Sequence, residues 1–214
     1  PTGLRSPLRF KVNADSPMAK FGKVQQTLFA GSWKIPIQFT APGRAIIEVF
    51  SGNLTAQGNP IRVHVVEPDE RLLWGDLHAG QGEIGCGIES LNHHFAFARD
   101  VAGLQFTSQQ ANDHYVSSRL WIEIQRVTEK WHRDGQFAAF VGCEWSAFTP
   151  DGGDRNLIFG GRPPELPRSG RFFIEKPVDT SLDAYKAPDL HFLLYTSDAA
   201  DEGLGVYLGV RRII

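Results

Sequence analysis

Cysteine is scarce in this chain. Cys86 and Cys143 are the only two, and they lack the CxxC spacing of zinc ribbons and redox pairs, so two free, buried thiols are expected. Long apolar runs are missing too: none approaches the roughly 20 residues that cross a bilayer, and no membrane partner is expected. The chain begins at Pro1 without a basic-then-apolar leader, which reads as a fragment or a processed product and leaves localisation open. Basic clusters are lacking as well. Arg5, Arg9, Lys11, Lys20, Lys23, Lys34, Arg44 and Arg62 are scattered, the pattern of a solvated surface, so no nucleic-acid partner is predicted. Two catalytic signatures are absent. There is no GxSxG elbow, and Ser146 has no evident base; the glycine-rich run 80–87 has neither GxGxxG nor the Lys-Ser/Thr of a phosphate-binding loop.

What is present is an ordinary apolar fraction, 42%, enough for a core. Residues 1–66 carry eight Lys/Arg against Asp15 and Glu48, whereas the rest is acidic, so a boundary near Val66 is visible in charge. Residues 1–66 read as a small antiparallel β module, with strands at 8–12, 35–40, 45–50 and 61–66 broken by Ala41-Pro42-Gly43 and Gly58-Asn59-Pro60. From residue 67 the grammar changes to strand 72–78, helix 91–101, strand 104–110, helix 118–133 and strand 137–145, the βα order of a parallel sheet or barrel. Phe95, Ala98 and Ala102, then Leu120, Ile124, Val127 and Trp131, recur at three- and four-residue spacing and mark the buried stripes of the two helices. Pro150-Asp151-Gly152-Gly153-Asp154 is a turn, 156–159 a further short strand, and 160–170 a loop.

Three strand ends stop on carboxylates or imidazoles. Asp76 and His78 fall on one side of the first strand because side chains alternate. Glu83 follows in a glycine-rich loop able to fold back toward that strand end. Past the second strand come Asn112, Asp113 and His114: His114 is the natural second imidazole, and Asp113 either ligates or orients it, unless Asn112-Asp113 is only a capping turn. Glu144 ends an apolar run, and a buried carboxylate needs a partner: a cation is the simplest, while Arg155 could neutralise it or meet an anionic substrate. Adjacent His93 and His94 cannot chelate together, and His132 suits a helix C-terminus.

The runs Trp74-Gly75-Asp76-Leu77-His78, Phe97-Ala98-Arg99-Asp100, Gln110-Ala111-Asn112-Asp113, Gly142-Cys143-Glu144-Trp145-Ser146 and Gly152-Gly153-Asp154-Arg155-Asn156 together resemble a domain-of-unknown-function family. That family is related to the PHP (polymerase and histidinol phosphatase) metallohydrolases, and the resemblance covers roughly residues 72–168. It implies an α/β fold with a distorted (β/α) barrel and metal ions at the C-terminal strand ends. Typical PHP chains open with His-x-His, but Gly80 stands two residues after His78, so Gln81 and Glu83 are the substitutes implied. His114 and Glu144 match the family's second-motif histidine and strand-end glutamate.

The implied organisation is a β module over 1–66, a partial PHP-like barrel over 67–191 and an extraneous tail over 192–214. The tail resembles the in-frame translation of a transposase-type sequencing adapter: Leu193-Leu194-Tyr195-Thr196-Ser197-Asp198-Ala199-Ala200-Asp201-Glu202 matches it throughout, and 206–214 departs at Tyr207 and Val210. Read-through rather than native protein is expected there. The later metal motifs are then missing, and a chain with an incomplete barrel is expected to be unstable and inactive.

The leading functional expectation is a metal-dependent hydrolase acting on a phosphoester or another small anionic ester. Its divalent ion (Zn, Mn or Fe) would take ligands from His78, Glu83, Asp113, His114 and Glu144, with Arg155 meeting the substrate's charge. The alternative is a non-catalytic binding or interaction module with a degenerate metal site, since fold kinship does not decide function. Oligomeric state is not legible.

Overall fold

The computed structural model describes residues 9–14, 19–27, 29, 31–78, 89–161, 163, 165–176, 180–181 and 183–200. The chain forms two compact units, one reaching Leu72 and the other starting at Leu73.

The first unit is built from antiparallel strands. β1 (Arg9–Ala14), β2 (Ala19–Phe21), β3 (Gln25–Gln26), β4 (Trp33–Lys34), β5 (Ile37–Phe39), β6 (Gly43–Ser51), β7 (Leu54–Gln57) and β8 (Ile61–Val63) follow one another. β6 is the hub: it pairs with β1 from Ala14 opposite Ala45 to Arg9 opposite Phe50, and with β7 and β8. Ala45, Ile47 and Ser51 along β6 are buried, the period-two pattern of a strand with one covered face. β2–β5 and β3–β4 make two further hairpin-like pairs.

The second unit is mixed α/β, with a four-stranded sheet that curls as half of a barrel. Its order is β9 (Gly75–Asp76), helix α1 (Leu91–Asp100), β10 (Phe106–Ser108), a 3₁₀ turn at Asp113–Tyr115, α2 (Ser118–Trp131), β11 (Ala138–Ser146), β12 (Asp154–Phe159) and α3 (Ala187–Ala200). β9, β10 and β11 are parallel, each pair joined through a helix. Both helices begin on a serine whose side chain accepts a backbone N–H of the first turn: Ser90 from His93 and Ser117 from Leu120, each at 3.2 Å. Phe95 and Ala98 of α1 and Trp121, Ile124 and Val127 of α2 are buried with Val141, Cys143, Trp145 and Leu157 in one core. Burial of each large side chain stabilises the fold by roughly 1.5–3 kcal/mol. Ala102, expected in the α1 stripe, lies past the helix end and is exposed.

Two departures from the sequence expectation have physical causes. The strand expected over 72–78 shrinks to Gly75–Asp76. Leu72, Leu73 and Trp74 are exposed, so burial does not extend the strand toward its start, and the Asp76 carboxylate turns back to accept the His78 N–H at 2.9 Å, which ends it. β12 runs antiparallel to β11, because the turn through Gly152 (φ 122°) and Gly153 (φ 66°) is far too short for a crossover helix. Leu190 and Leu194 of α3 are buried in the core, and residues 201–214 lie outside the described residues. Among the described residues no helix is long and apolar enough to cross a membrane.

Candidate metal centre

The register that sets Phe106 opposite Ala138 still holds four residues past β10, where Asn112 stands opposite Glu144. The Glu144 N–H donates to Ala111 O at 3.0 Å, so this segment carries the sheet on to its C-terminal end. Space for it depends on Gly142. A Cβ there would stand 2.2 Å from Gln110 Nε2 and 2.3 Å from Ser108 Oγ, two groups that bond each other at 2.7 Å across the core.

Glu144 is 7% exposed. Asn112 Nδ2 donates to its Oε2 at 2.6 Å and to Ser146 Oγ at 2.8 Å, using both amide hydrogens. The other carboxylate oxygen, Oε1, faces His78 Nε2 at 3.4 Å. That gap is longer than a good N–H···O bond of roughly 2.7–3.2 Å. It equals the spacing of two donors that each lie about 2.1 Å from one tetrahedrally coordinated ion, which is about 3.4 Å. His78 and Glu144 therefore fit two positions of the implied centre.

Neither Asp113 nor His114 is brought to that pair. Asp113 is fully buried, and its carboxylate is consumed by backbone donors: Oδ1 accepts the Ser146 N–H at 3.0 Å and Oδ2 the Ser169 N–H. Arg168 Nη1 donates to the Asp113 carbonyl at 3.3 Å. Asp113 thus ties the segment around Ser169 to the end of β11. His114 is buried between the rings of Tyr115 and Phe173, at 4.5 and 4.9 Å. Its Nδ1 has no hydrogen-bond partner, lies 3.6 Å from Asp113 Oδ1, and makes no link to His78 or Glu144. The turn at Asn112-Asp113 is real, but the Asn112 side chain bonds Glu144 instead of capping it.

Arg155 does not neutralise Glu144. It stands opposite Trp145 in the β11–β12 ladder, one residue out of phase with Glu144, and its exposed guanidinium donates to the Asp154 carbonyl. Glu83 and Gln81 lie outside the described residues. Among the described residues no three His, Cys, Asp or Glu groups gather closely enough to hold an ion. The fit to a metal rests on two donors.

Several residues around the site were given no role there by the sequence. Ser146 sits two residues beyond Glu144 on the same face of β11, and strand register brings Asn112 opposite Glu144. His94 on α1 is mostly buried with an unpartnered Nε2; burial lowers its pKa, and the nearby Asp76 carboxylate opposes that shift. The spacing of α1 could have placed His94 on the sheet side, between buried Leu91 and Ala98. Cys143, behind the site, is fully buried; desolvation pushes its thiol pKa well up, Asp113 and then Glu144 add to this, and Arg168 opposes it.

Comparison of the chain with protein-family models, curated proteins and solved structures finds no match.

Proposed function

We propose that this chain carries part of a metal-dependent hydrolase centre of the PHP-related type, its curled sheet being one side of a distorted (β/α) barrel. His78 and Glu144 are the protein ligands, the ion is divalent Zn, Mn or Fe, and the substrate is a small anionic ester, most simply a phosphoester. The observation that carries the reading is the His78–Glu144 spacing of 3.4 Å at the C-terminal ends of parallel strands, where such folds place their chemistry. A cation bound there would supply Lewis acidity and an activated water. The chain's own residues prepare the position. Asn112 fixes the plane of the Glu144 carboxylate through Oε2 and leaves Oε1 directed at His78. Asp113 acts as a tie rather than a ligand.

A non-catalytic binding module is the second reading, favoured by the meeting of only two ligand candidates among the described residues. Mn²⁺-dependent hydrolysis of p-nitrophenyl phosphate by the purified chain separates them. Activity that is lost in Glu144→Gln supports the enzyme. Metal uptake without turnover of this or other anionic esters supports the binding module.

A further inference from the structure

Asp113 clamps one end of a segment that crosses the end of β11. The Ser169 N–H bonds its carboxylate, and four residues on the Phe173 N–H donates to the His114 carbonyl at 3.2 Å. Arg171 lies between these two fixed points. Its Nη1 donates to the Ser146 carbonyl at 3.1 Å, two residues beyond Glu144 on the same strand. The guanidinium lies 4.9 Å from the Phe148 ring centre and 5.8 Å from that of Phe173. Both rings are largely exposed, at 62% and 64%. Arg71, Arg99, Arg126 and Arg168 each have a carboxylate within ion-pair distance. Arg171 has none among the described residues.

We infer that Arg171 recognises the anionic group of the ligand, and that the ligand carries an aromatic or similarly bulky apolar group beside that anion, as an aryl phosphomonoester does. The inference rests on the site reading above and gives it a substrate class. A guanidinium has five N–H donors, and the Ser146 carbonyl uses one, so a fork remains for a phosphoryl group. Two rings beside the charge hold the fork in place before the ligand arrives. The exposed faces of Phe148 and Phe173 offer the apolar contact. Arg155, the arginine singled out by sequence, has neither the position nor the aromatic setting.

The test titrates phenylphosphonate and methylphosphonate, which no phosphatase cleaves at the P–C bond, into the full chain by calorimetry, with Mn²⁺ uptake measured separately. Wild type binds phenylphosphonate, and Arg171→Gln weakens binding by about tenfold or more, the scale of losing a charge-assisted pair. Arg171→Lys keeps the charge but not the fork and falls between. Phe173→Ala weakens phenylphosphonate more than methylphosphonate, and Mn²⁺ uptake is unchanged in all three. Melting curves establish that each variant is folded, and the lysine variant carries the test if the glutamine variant is not. Unchanged phenylphosphonate affinity in folded Arg171 variants overturns the inference, as does dependence on Arg155 in its place. Mn²⁺ uptake by wild type with no phenylphosphonate binding overturns it and leaves the metal reading standing. Phenylphosphonate binding through Arg171 without Mn²⁺ uptake supports it and removes the hydrolase.

Discussion

Asn112 donates an amide hydrogen to Glu144 Oε2 at 2.6 Å from the directly opposite position of a parallel ladder. A carboxylate at the end of a buried strand thereby meets a neutral amide on one oxygen and an imidazole on the other. The pair contributes to satisfying the buried Glu144 carboxylate and sets its plane, with Oε1 toward His78.

Removing that amide uncovers a desolvated carboxylate. Asn112→Ala is expected to lower stability by about 1–3 kcal/mol in urea melts, the cost of an unsatisfied buried polar group. Asn112→Asp, which opposes two carboxylates, costs more. Adding Glu144→Gln to Asn112→Asp recovers most of the loss because amide and carboxylate have only exchanged places. A double variant no more stable than Asn112→Asp alone contradicts the pairing.

Asp113 is a tie between the 3₁₀ turn, the end of β11 and Ser169. Asp113→Asn keeps the shape but turns one acceptor into a donor that faces a backbone N–H, and is expected to cost about 2–4 kcal/mol. Mn²⁺ affinity measured below the denaturation range should change little. A stable Asp113→Asn variant with lost metal would make Asp113 a ligand after all.

Burial lowers the His94 pKa below its ordinary value of about 6.5, with Asp76 opposing the shift. Between the folded value and about 6.5 the unfolded chain binds more protons than the folded one, so stability rises with pH across that window. His94 therefore contributes its full share above about 6.5, and that share is lost as pH falls through the window toward the folded value. Melting temperatures from pH 7.5 to 5 should decline less steeply in His94→Gln than in wild type. Parallel declines would show that His94 is not the group responsible.

Cys143 is a buried thiol kept protonated by desolvation and by the charges of Asp113 and Glu144. In a Cys86→Ser background, Ellman's reagent should label nothing in the folded chain and one thiol in urea. Rapid labelling without urea would mean that the core behind the site opens readily.

Much of the second unit was legible from local pattern. The apolar stripes gave α1 and α2 to within two residues, since Phe95, Ile124 and Val127 sit where a helix facing one sheet must put them. The run ending on Glu144 announced β11 because only a central strand is apolar throughout. What local pattern missed depends on contacts distant in sequence. Leu72-Leu73-Trp74 has the apolar pattern of a buried strand start, yet those side chains are exposed. Asp113 had a ligand's chemistry and a ligand's position, but Ser146 and Ser169 reach its oxygens first. Arg171 could not be foreseen at all, because its place is set by a clamp formed between residues 113 and 169. Arg155, close to Glu144 in sequence, was drawn in by proximity that the antiparallel ladder does not honour.

The central claim is that His78 and Glu144 share a divalent ion. Calorimetric titration of the chelator-stripped chain with Mn²⁺ and Zn²⁺ tests it most directly, using wild type, His78→Ala and Glu144→Gln, each checked for folding by its melting curve. The account predicts a saturable site in wild type and a loss of roughly 10-fold or more in affinity in each variant, the scale of removing a ligand or its support. Identical metal affinity in wild type and both folded variants would contradict it.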